Sequence, residues 1–395
     1  MPADTSTPTP PQRVVAVVVT YNRLDKLRVT LARLLAEPEA HLAAVVVVDN
    51  ASTDGTGAWL AGQTGDPRLT VLSSATNQGG AGGFEWGMRH AVEQLAPDWV
   101  LVQDDDARPC PGALAAFHEM DKRLYDAVVA AVYFPSGEIC EMNRPSRNPF
   151  WHAREFRRTL FGGGRGGFHI EPADYRGPGR WVDVASFVGL FVARGAIEQV
   201  GYPDGRLFVY GEDGLYTLGL AKAGGRLWFA PEVAFEHDLS TFEGQRGRFR
   251  PLWKVYYYHR NLLLLYRMAA GWLFWPALIA VLPKWLSKVR HHKGERGAFL
   301  ALLGRAVMDG LLRRTGRDHR KVLELAERGK RPLSSIRTPR TGGSATRRRE
   351  AAIIGCRREA AIKEEGGSAP ARLRRTPPEY FGNNERGPDP PPPAL

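Results

Sequence analysis

The feature that most limits how this chain can fold is Val14–Thr20 (VVAVVVT), a run that is β-branched and almost unbroken. Such a run suits a central parallel strand buried on both faces. It ends at Tyr21-Asn22-Arg23, and Leu24, Leu27, Leu31, Leu34 and Leu35 then fall on one face of a helix expected over residues 24–37, bounded by Pro38. Residues 43–48 form a second apolar run, which ends in Asp49-Asn50-Ala51-Ser52-Thr53-Asp54-Gly55-Thr56. Thr53 or Asp54 can cap the helix that follows. A third, short strand over residues 69–72 leads to Asn77-Gln78-Gly79-Gly80-Ala81-Gly82-Gly83 and a helix reaching about residue 95. A fourth apolar run, residues 99–103 (WVLVQ), delivers Asp104-Asp105-Asp106, with Pro109 and Pro111 expected to stop the strand. This β-α-β-α-β-α-β alternation predicts an α/β fold with a mostly parallel, Rossmann-like sheet flanked by helices.

Open α/β sheets bind ligands outside the carboxyl ends of their strands. The alternation places Thr20, Asp49, the glycine-rich turn and the Asp triplet at that one edge. Three adjacent carboxylates repel one another there, which favours a hard divalent cation with oxygen ligands. Taken singly, these signals have plainer readings. An acidic triplet can be a solvated turn, Asp49 a helix cap, and the glycines a flexible loop without the spacing of a dinucleotide fingerprint.

Charge and cysteine content narrow the classes. A net charge of +12 and a pI near 9.8 permit nucleic acid, anionic lipid or a phosphorylated ligand as partner. Cys110, Cys140 and Cys356 show no metal-ligand spacing, so free thiols and a reducing compartment are expected. Residues 1–12 are polar and lack the apolar core of a signal peptide. Together these point to the cytoplasm.

The segments VVVTYNR, VDNASTDGT, NQGGAGGF and QDDDA, in this order, resemble the nucleotide-sugar-binding half of family 2 inverting glycosyltransferases with the GT-A fold. The doubled glycines and the Asp triplet most resemble bacterial galactofuranosyl- and rhamnosyltransferases. The resemblance covers roughly residues 13–270. It implies that Thr20, Tyr21, Asn22 and Asp49 hold the nucleobase, that Asn77, Gly79 and Gly80 pack by the ribose, and that Asp104 and Asp106 hold Mg2+ or Mn2+ on the diphosphate. It also implies a UDP- or dTDP-linked sugar donor, a glycan or lipid-linked saccharide acceptor, and no nucleic acid. The implied division is 13–110 for the donor half and 111–250 for the acceptor half.

Residues 135–180, rich in Gly, Arg and aromatics, read as acceptor-side loops, and residues 182–194 as a strand pair about a glycine turn. Gly211-Glu212-Asp213 matches the family segment whose acidic pair carries the catalytic base, Asp213 first and Glu212 as the fallback. The family's further acid and later Arg are replaced here by Leu215 and a residue near Gly219. Glu212-Asp213 can also simply cap the helix over 214–223. A strand over 227–235 ends at Glu236-His237-Asp238, and His237 resembles the His that completes the metal site in some relatives.

Residues 251–330 read as a helical extension that associates with membrane. Residues 268–283 carry no charge, are interrupted by Pro276, and fall short of the ~20 needed to cross a bilayer. Trp272, Trp275 and Trp285, with Lys284, Lys288, Arg290, His291, His292 and Lys293 beyond, suit a helix lying in the interface on the inner face of the cell membrane. A buried helical hairpin is the other reading. Residues 331–395 turn to Arg, Pro, Gly and Ser, repeat RREAAI once, and read as a disordered tail. Two rival functions remain: a sugar-nucleotide pyrophosphorylase, although the first strand lacks its Gly-rich basic signature, and a basic nucleic-acid-binding protein, although no recognition module is present.

Overall fold

The computed structural model describes residues 12–63, 65–239 and 248–328. The expectations for residues 1–11 and 331–395 therefore lie outside the described residues. Residues 12–328 fall within one compact unit.

The first half follows the sequence pattern. Strand β1 (Val14–Thr20) is succeeded by α1 (Leu24–Leu35), β2 (Ala44–Asp49), α2 (Thr56–Ala61), β3 (Leu69–Ser73), α3 (Gly79–Leu95) and β4 (Trp99–Asp104). β3, β2, β1 and β4 lie side by side and all parallel. Every residue of β1 and β2 is buried, as two-faced apolar runs require. Asp54 serves two helices: its carboxylate accepts from Leu24 N at 3.1 Å and from Thr56 N at 3.1 Å.

The glycine cluster is not a loop. It forms the opening turns of α3, and the reason is packing. A Cβ on Gly83 would come within 2.5 Å of Val19 Cγ1, and one on Gly87 within 2.5 Å of Val17 Cγ1 and 2.9 Å of Val48 Cγ2. These glycines let α3 lie directly on the sheet.

The second half turns the sheet into a mixed one. After the tight turn at Asp105-Asp106 comes the short β5 (Ala107–Pro109), so the chain re-enters the sheet before Pro111 rather than ending at Pro109. Pro109 is tolerated because β5 is an edge strand. Then follow α4 (Ala113–Glu119), β6 (Ala127–Tyr133), α5 (Ala153–Arg158), β7 (Arg180–Val182), β8 (Leu190–Ala193), α6 (Arg194–Val200), α7 (Glu212–Lys222) and β9 (Leu227–His237). The strand order is β3-β2-β1-β4-β8-β6-β9-β5, with β7 on β9. β6 and β9 are parallel, whereas β8 runs antiparallel to both β4 and β6. β7 and β8 do not form the expected pair: β7 joins β9 and β8 is inserted between β4 and β6.

Helices α8 (Lys254–Ala270), α9 (Phe274–Ser287), α10 (Arg296–Leu311) and α11 (His319–Arg328) complete the described chain. From Lys254 to His291 the chain is almost continuously helical, and by length and composition alone this stretch could cross a membrane. α8, however, is largely buried in protein, with Tyr256, His259, Arg260 and Asn261 fully enclosed. Pro276 sits in the first turn of α9, where a missing N–H costs nothing, and does not interrupt the helix. Trp272 and Trp275 are exposed as expected, but Trp285 is not. It turns inward, with its ring 4.9 Å from that of His259.

Candidate active site

At the carboxyl edge of β1 and β4 opens a cleft of about 770 Å³. β4 ends at Asp104, and the turn after it presents Asp105 and Asp106. Because β5 then pairs antiparallel with β9, with Ala107 opposite His237, the imidazole is brought over the turn. His237 Nε2 lies 3.0 Å from Asp106 Oδ1, and its Nδ1 lies 2.7 Å from Asn143 Oδ1. One ligand atom each from Asp104, Asp106 and His237 lie within 4.8 Å of one another. Thr20 Oγ1 donates to Asp105 Oδ2 at 2.7 Å, and Thr30 Oγ1 to the Asp105 carbonyl at 2.8 Å, fixing the turn from below.

The charges in this cluster are tightly linked. Burial, reinforced by the neighbouring Asp106, raises Asp104 to about 7. Burial likewise raises Asp105 to about 6, against the opposing charge of Arg23. Burial would raise Asp106 too, but its hydrogen bond with His237 and the charges of His237 and Arg23 outweigh it and hold the group below the usual carboxylate range. Burial opposes a charge on His237, yet the bond to Asp106 and the surrounding carboxylates lift it to about 10. The Arg23 guanidinium reaches in from the end of β1, with Nη1 2.6 Å from Asp106 Oδ2 and 3.3 Å from Asp105 Oδ1. These three carboxylates, Asp104 half-buried and the other two buried, thus draw in Arg23 and His237. Two carboxylates and an imidazole in such a field fit Mg2+ or Mn2+.

A second wall comes from α3. Asn77 Oδ1 accepts from Gly79 N at 2.7 Å, and Asn50 Nδ2 donates to the Gly79 carbonyl at 2.8 Å. Gly79 has φ +74, and a Cβ there would lie 1.9 Å from the Phe208 carbonyl oxygen, so only glycine fits. Tyr21, Asn77, Gly79 and Gly80 line the cleft with Thr20. Asn22 and Asp49 are not among its lining residues. Asn22 Oδ1 accepts from Thr53 N at 2.6 Å, and Asp49 Oδ1 from Ser52 N at 3.0 Å, so both brace the loop after β2.

The remaining wall is the start of α7. Phe208 (φ +70) and Tyr210 (φ +69) are non-glycine residues in the left-handed region, each costing roughly 1–3 kcal/mol unless the surroundings dictate it. α8 dictates it. Asn261 Nδ2 donates to the carbonyls of Leu207, Val209 and Tyr210, and the enclosed Arg260 donates from Nη2 to the Leu207 carbonyl at 2.6 Å. The clamped loop delivers Glu212 and Asp213 to the cleft. Burial raises Asp213 to about 6, tempered by the hydrogen bond it accepts from Gly214 N at 2.6 Å. Burial and then the charge of Asp213 push Glu212 well above the ordinary range, and its Oε2 has no hydrogen-bond partner among the described residues.

The cleft thus brings together Thr20, Tyr21, Asn77, Gly79, Gly80, Asp104, Asp106, Glu212, Asp213 and His237. Sequence reasoning missed Arg23, Asn50, Asn143 and Lys254, which also line it. Arg23 was visible as a basic residue three positions past the strand end. Asn143 lies in the segment without periodicity and gave no signal.

The family model described as Glycosyl transferase family 2 matches residues 15–176. Galactofuranosyltransferase GlfT1 of Mycobacterium tuberculosis is 32% identical over 246 residues, covering 59% of this chain and 72% of that protein. N-acetylglucosaminyl-diphospho-decaprenol L-rhamnosyltransferase of the same species is 27% identical over 253 residues, covering 58% of this chain and 77% of that protein. Among solved structures, GalNAc-T7 with UDP, GalNAc and Mn2+ superposes with a TM-score of 0.50 at 13% identity. That match covers 80% of this chain and 54% of the other, and it bears on the fold alone.

Proposed function

The chain belongs to glycosyl transferase family 2, and from that premise we propose that it moves a sugar from a nucleoside-diphosphate donor to an acceptor hydroxyl with inversion at the anomeric carbon. The observation that carries this reading is one cleft with Asp104, Asp106 and His237 at the strand edge and the enclosed pair Glu212-Asp213 at the start of α7. The similarity to galactofuranosyl- and rhamnosyltransferases supports galactofuranose or rhamnose as the sugar, UDP or dTDP as the carrier, and cell-envelope polysaccharide synthesis as the setting.

Asp104, Asp106 and His237 would hold Mg2+ or Mn2+, which when bound offsets the charge that builds on a departing diphosphate. His237 would ligate a metal as the neutral imidazole, and Arg23, now on Asp106 Oδ2, would share that carboxylate with the metal or release it. Its guanidinium can then turn to the donor's phosphate oxygens, a geometry suited to its fork of donors. Asp213 is the base. At neutral pH a carboxyl near 6 is ionised and can take the acceptor's proton, whereas burial and the charge of Asp213 push Glu212 well above the ordinary range and make it the poorer base. Glu212, whose Oε2 has no partner among the described residues, can instead hydrogen-bond a sugar hydroxyl. Asn77, Gly79 and Gly80 would bring backbone close to the nucleoside, while Asp49 and Asn22 brace the loop after β2 beside it.

The acceptor would be a glycan or lipid-linked saccharide met at the inner face of the membrane, with the outer side of α9 as the peripheral contact. α8 cannot enter lipid because protein encloses it, so the protein would rest on the bilayer rather than thread it. A panel of nucleotide sugars, read by mass spectrometry with Mg2+ or Mn2+ and again with excess EDTA, tests the reading. Transfer or donor hydrolysis with one donor, lost in EDTA and restored by added metal, is expected. Undiminished turnover in EDTA would remove the metal from the scheme.

A further inference from the structure

The glycine-rich segment after α5 carries an exposure that the catalytic reading leaves unexplained. Residues 159–167 (TLFGGGRGG) fold as two irregular helical turns with Gly162 at φ +105 and Gly164 at φ +48. At their tip stand Leu160, 65% exposed, and Phe161, 80% exposed. Two adjacent large apolar side chains held this far into water forfeit roughly 1.5–3 kcal/mol each relative to burial.

The segment is fastened to α8, whose end leads into α9. Ahead of it, Asn148 Nδ2 donates to the Ala269 carbonyl at 3.0 Å, at the end of α8. Behind its tip, Arg165 lies within electrostatic reach of Tyr258 and Tyr266 on α8. α9 begins four residues past Ala270 and is apolar on both sides. Phe274, Leu278 and Trp285 face inward, while Trp272, Trp275, Ile279 and Leu286 face out at helical spacing. Exposed apolar groups on two fastened elements signal a partner.

We propose that the Leu160-Phe161 tip is a second anchor, which inserts with the outer side of α9 into an anionic lipid bilayer. Charge identifies the occupant. Arg154, Arg157, Lys284, Arg290 and Lys293 are exposed around these apolar groups. Residues 268–294 contain no Asp or Glu, and the one acid among residues 151–170, Glu155, is buried against Arg147. A second copy docked here by two-fold symmetry would set like charges face to face. Anionic head groups answer both the charge and the apolar tips. Two anchors also fix orientation where one helix would allow rolling. Along α8, Tyr258, which lines the cleft, lies about 18 Å of helix before Ala270, after which α9 follows.

This inference rests on the membrane contact proposed for α9, and the experiment separates the two. The full-length protein, a Leu160→Ser/Phe161→Ser variant and a Trp272→Ser/Trp275→Ser/Ile279→Ser variant are floated with phosphatidylcholine–phosphatidylglycerol vesicles. All are first matched for thermal unfolding and donor hydrolysis. Each variant should partition about tenfold more weakly or worse. If the loop variant floats like the wild type and the α9 variant does not, the second anchor is refuted and the helix contact stands. If the wild type does not float, both fall. A lipid-free dimer of the wild type that the loop substitutions dissociate would overturn the proposal in favour of a second copy.

Discussion

At the scale of single residues the account turns on which carboxyl is ionised. Asp213 is raised to about 6 by burial, so the pH at which it loses its charge moves up from the ordinary value near 4. A base works only when ionised, so kcat/KM for transfer should fall as pH drops through about 6 and level off above it. The measurement is a profile from pH 5 to 8 at saturating metal, which keeps protons from competing for Asp104. A profile flat to pH 5 would mean that another group takes the proton. Legibility at this scale was uneven. Asp104, Asp106, Glu212 and Asp213 could be found because acids at strand and helix ends stand out in a chain. His237 gained its place through the β5–β9 pairing, which no local pattern announces. Arg23 and Asn143 act through residues distant in sequence, so only the folded chain reveals their partners.

At the scale of elements, glycine content reads in two opposite ways that structure alone separates. Gly87 lies against Val17 and Val48 with no room for a methyl group, whereas Gly219 in α7 has no atom within 4 Å of an added Cβ. Ala favours a helix by roughly 1 kcal/mol over Gly, but forcing a methyl into a closed core costs typically about 1–3 kcal/mol. Gly219→Ala should therefore raise stability by up to about 1 kcal/mol, and Gly87→Ala should lower it by up to about 2 kcal/mol. Urea unfolding of both variants checks this, and stabilisation of Gly87→Ala would mean that α3 does not sit so close to the sheet. The same distinction explains what could be read beforehand. Runs such as 14–20 and 43–48 are apolar on both faces and have few alternatives to a central strand. Residues 182–194 also looked like strands, but their partners come from elsewhere in the chain, so the expected hairpin is absent. Trp285 faces inward because its helical position, about two turns from Leu278 and three from Phe274, belongs to the protein side of α9.

At the scale of the whole molecule, the chain divides its labour between two halves that meet in one cleft. The parallel half supplies the strand-edge acids and the α3 backbone proposed to lie beside the nucleoside. The later half supplies His237, the proposed base Asp213 and the α8 clamp that holds residues 207–210 in their strained path. On the proposed assignment Asp213 would touch the acceptor and not the nucleotide, so donor binding and chemistry should be separable by substitution. The measurement that tests this most directly is turnover per bound donor in Asp213→Asn, with donor affinity taken from calorimetry on the same preparation. The account predicts donor affinity within about twofold of the wild type and turnover reduced by roughly 10²–10⁴. Collapse of donor affinity with turnover per bound donor preserved would contradict it and make Asp213 a donor contact.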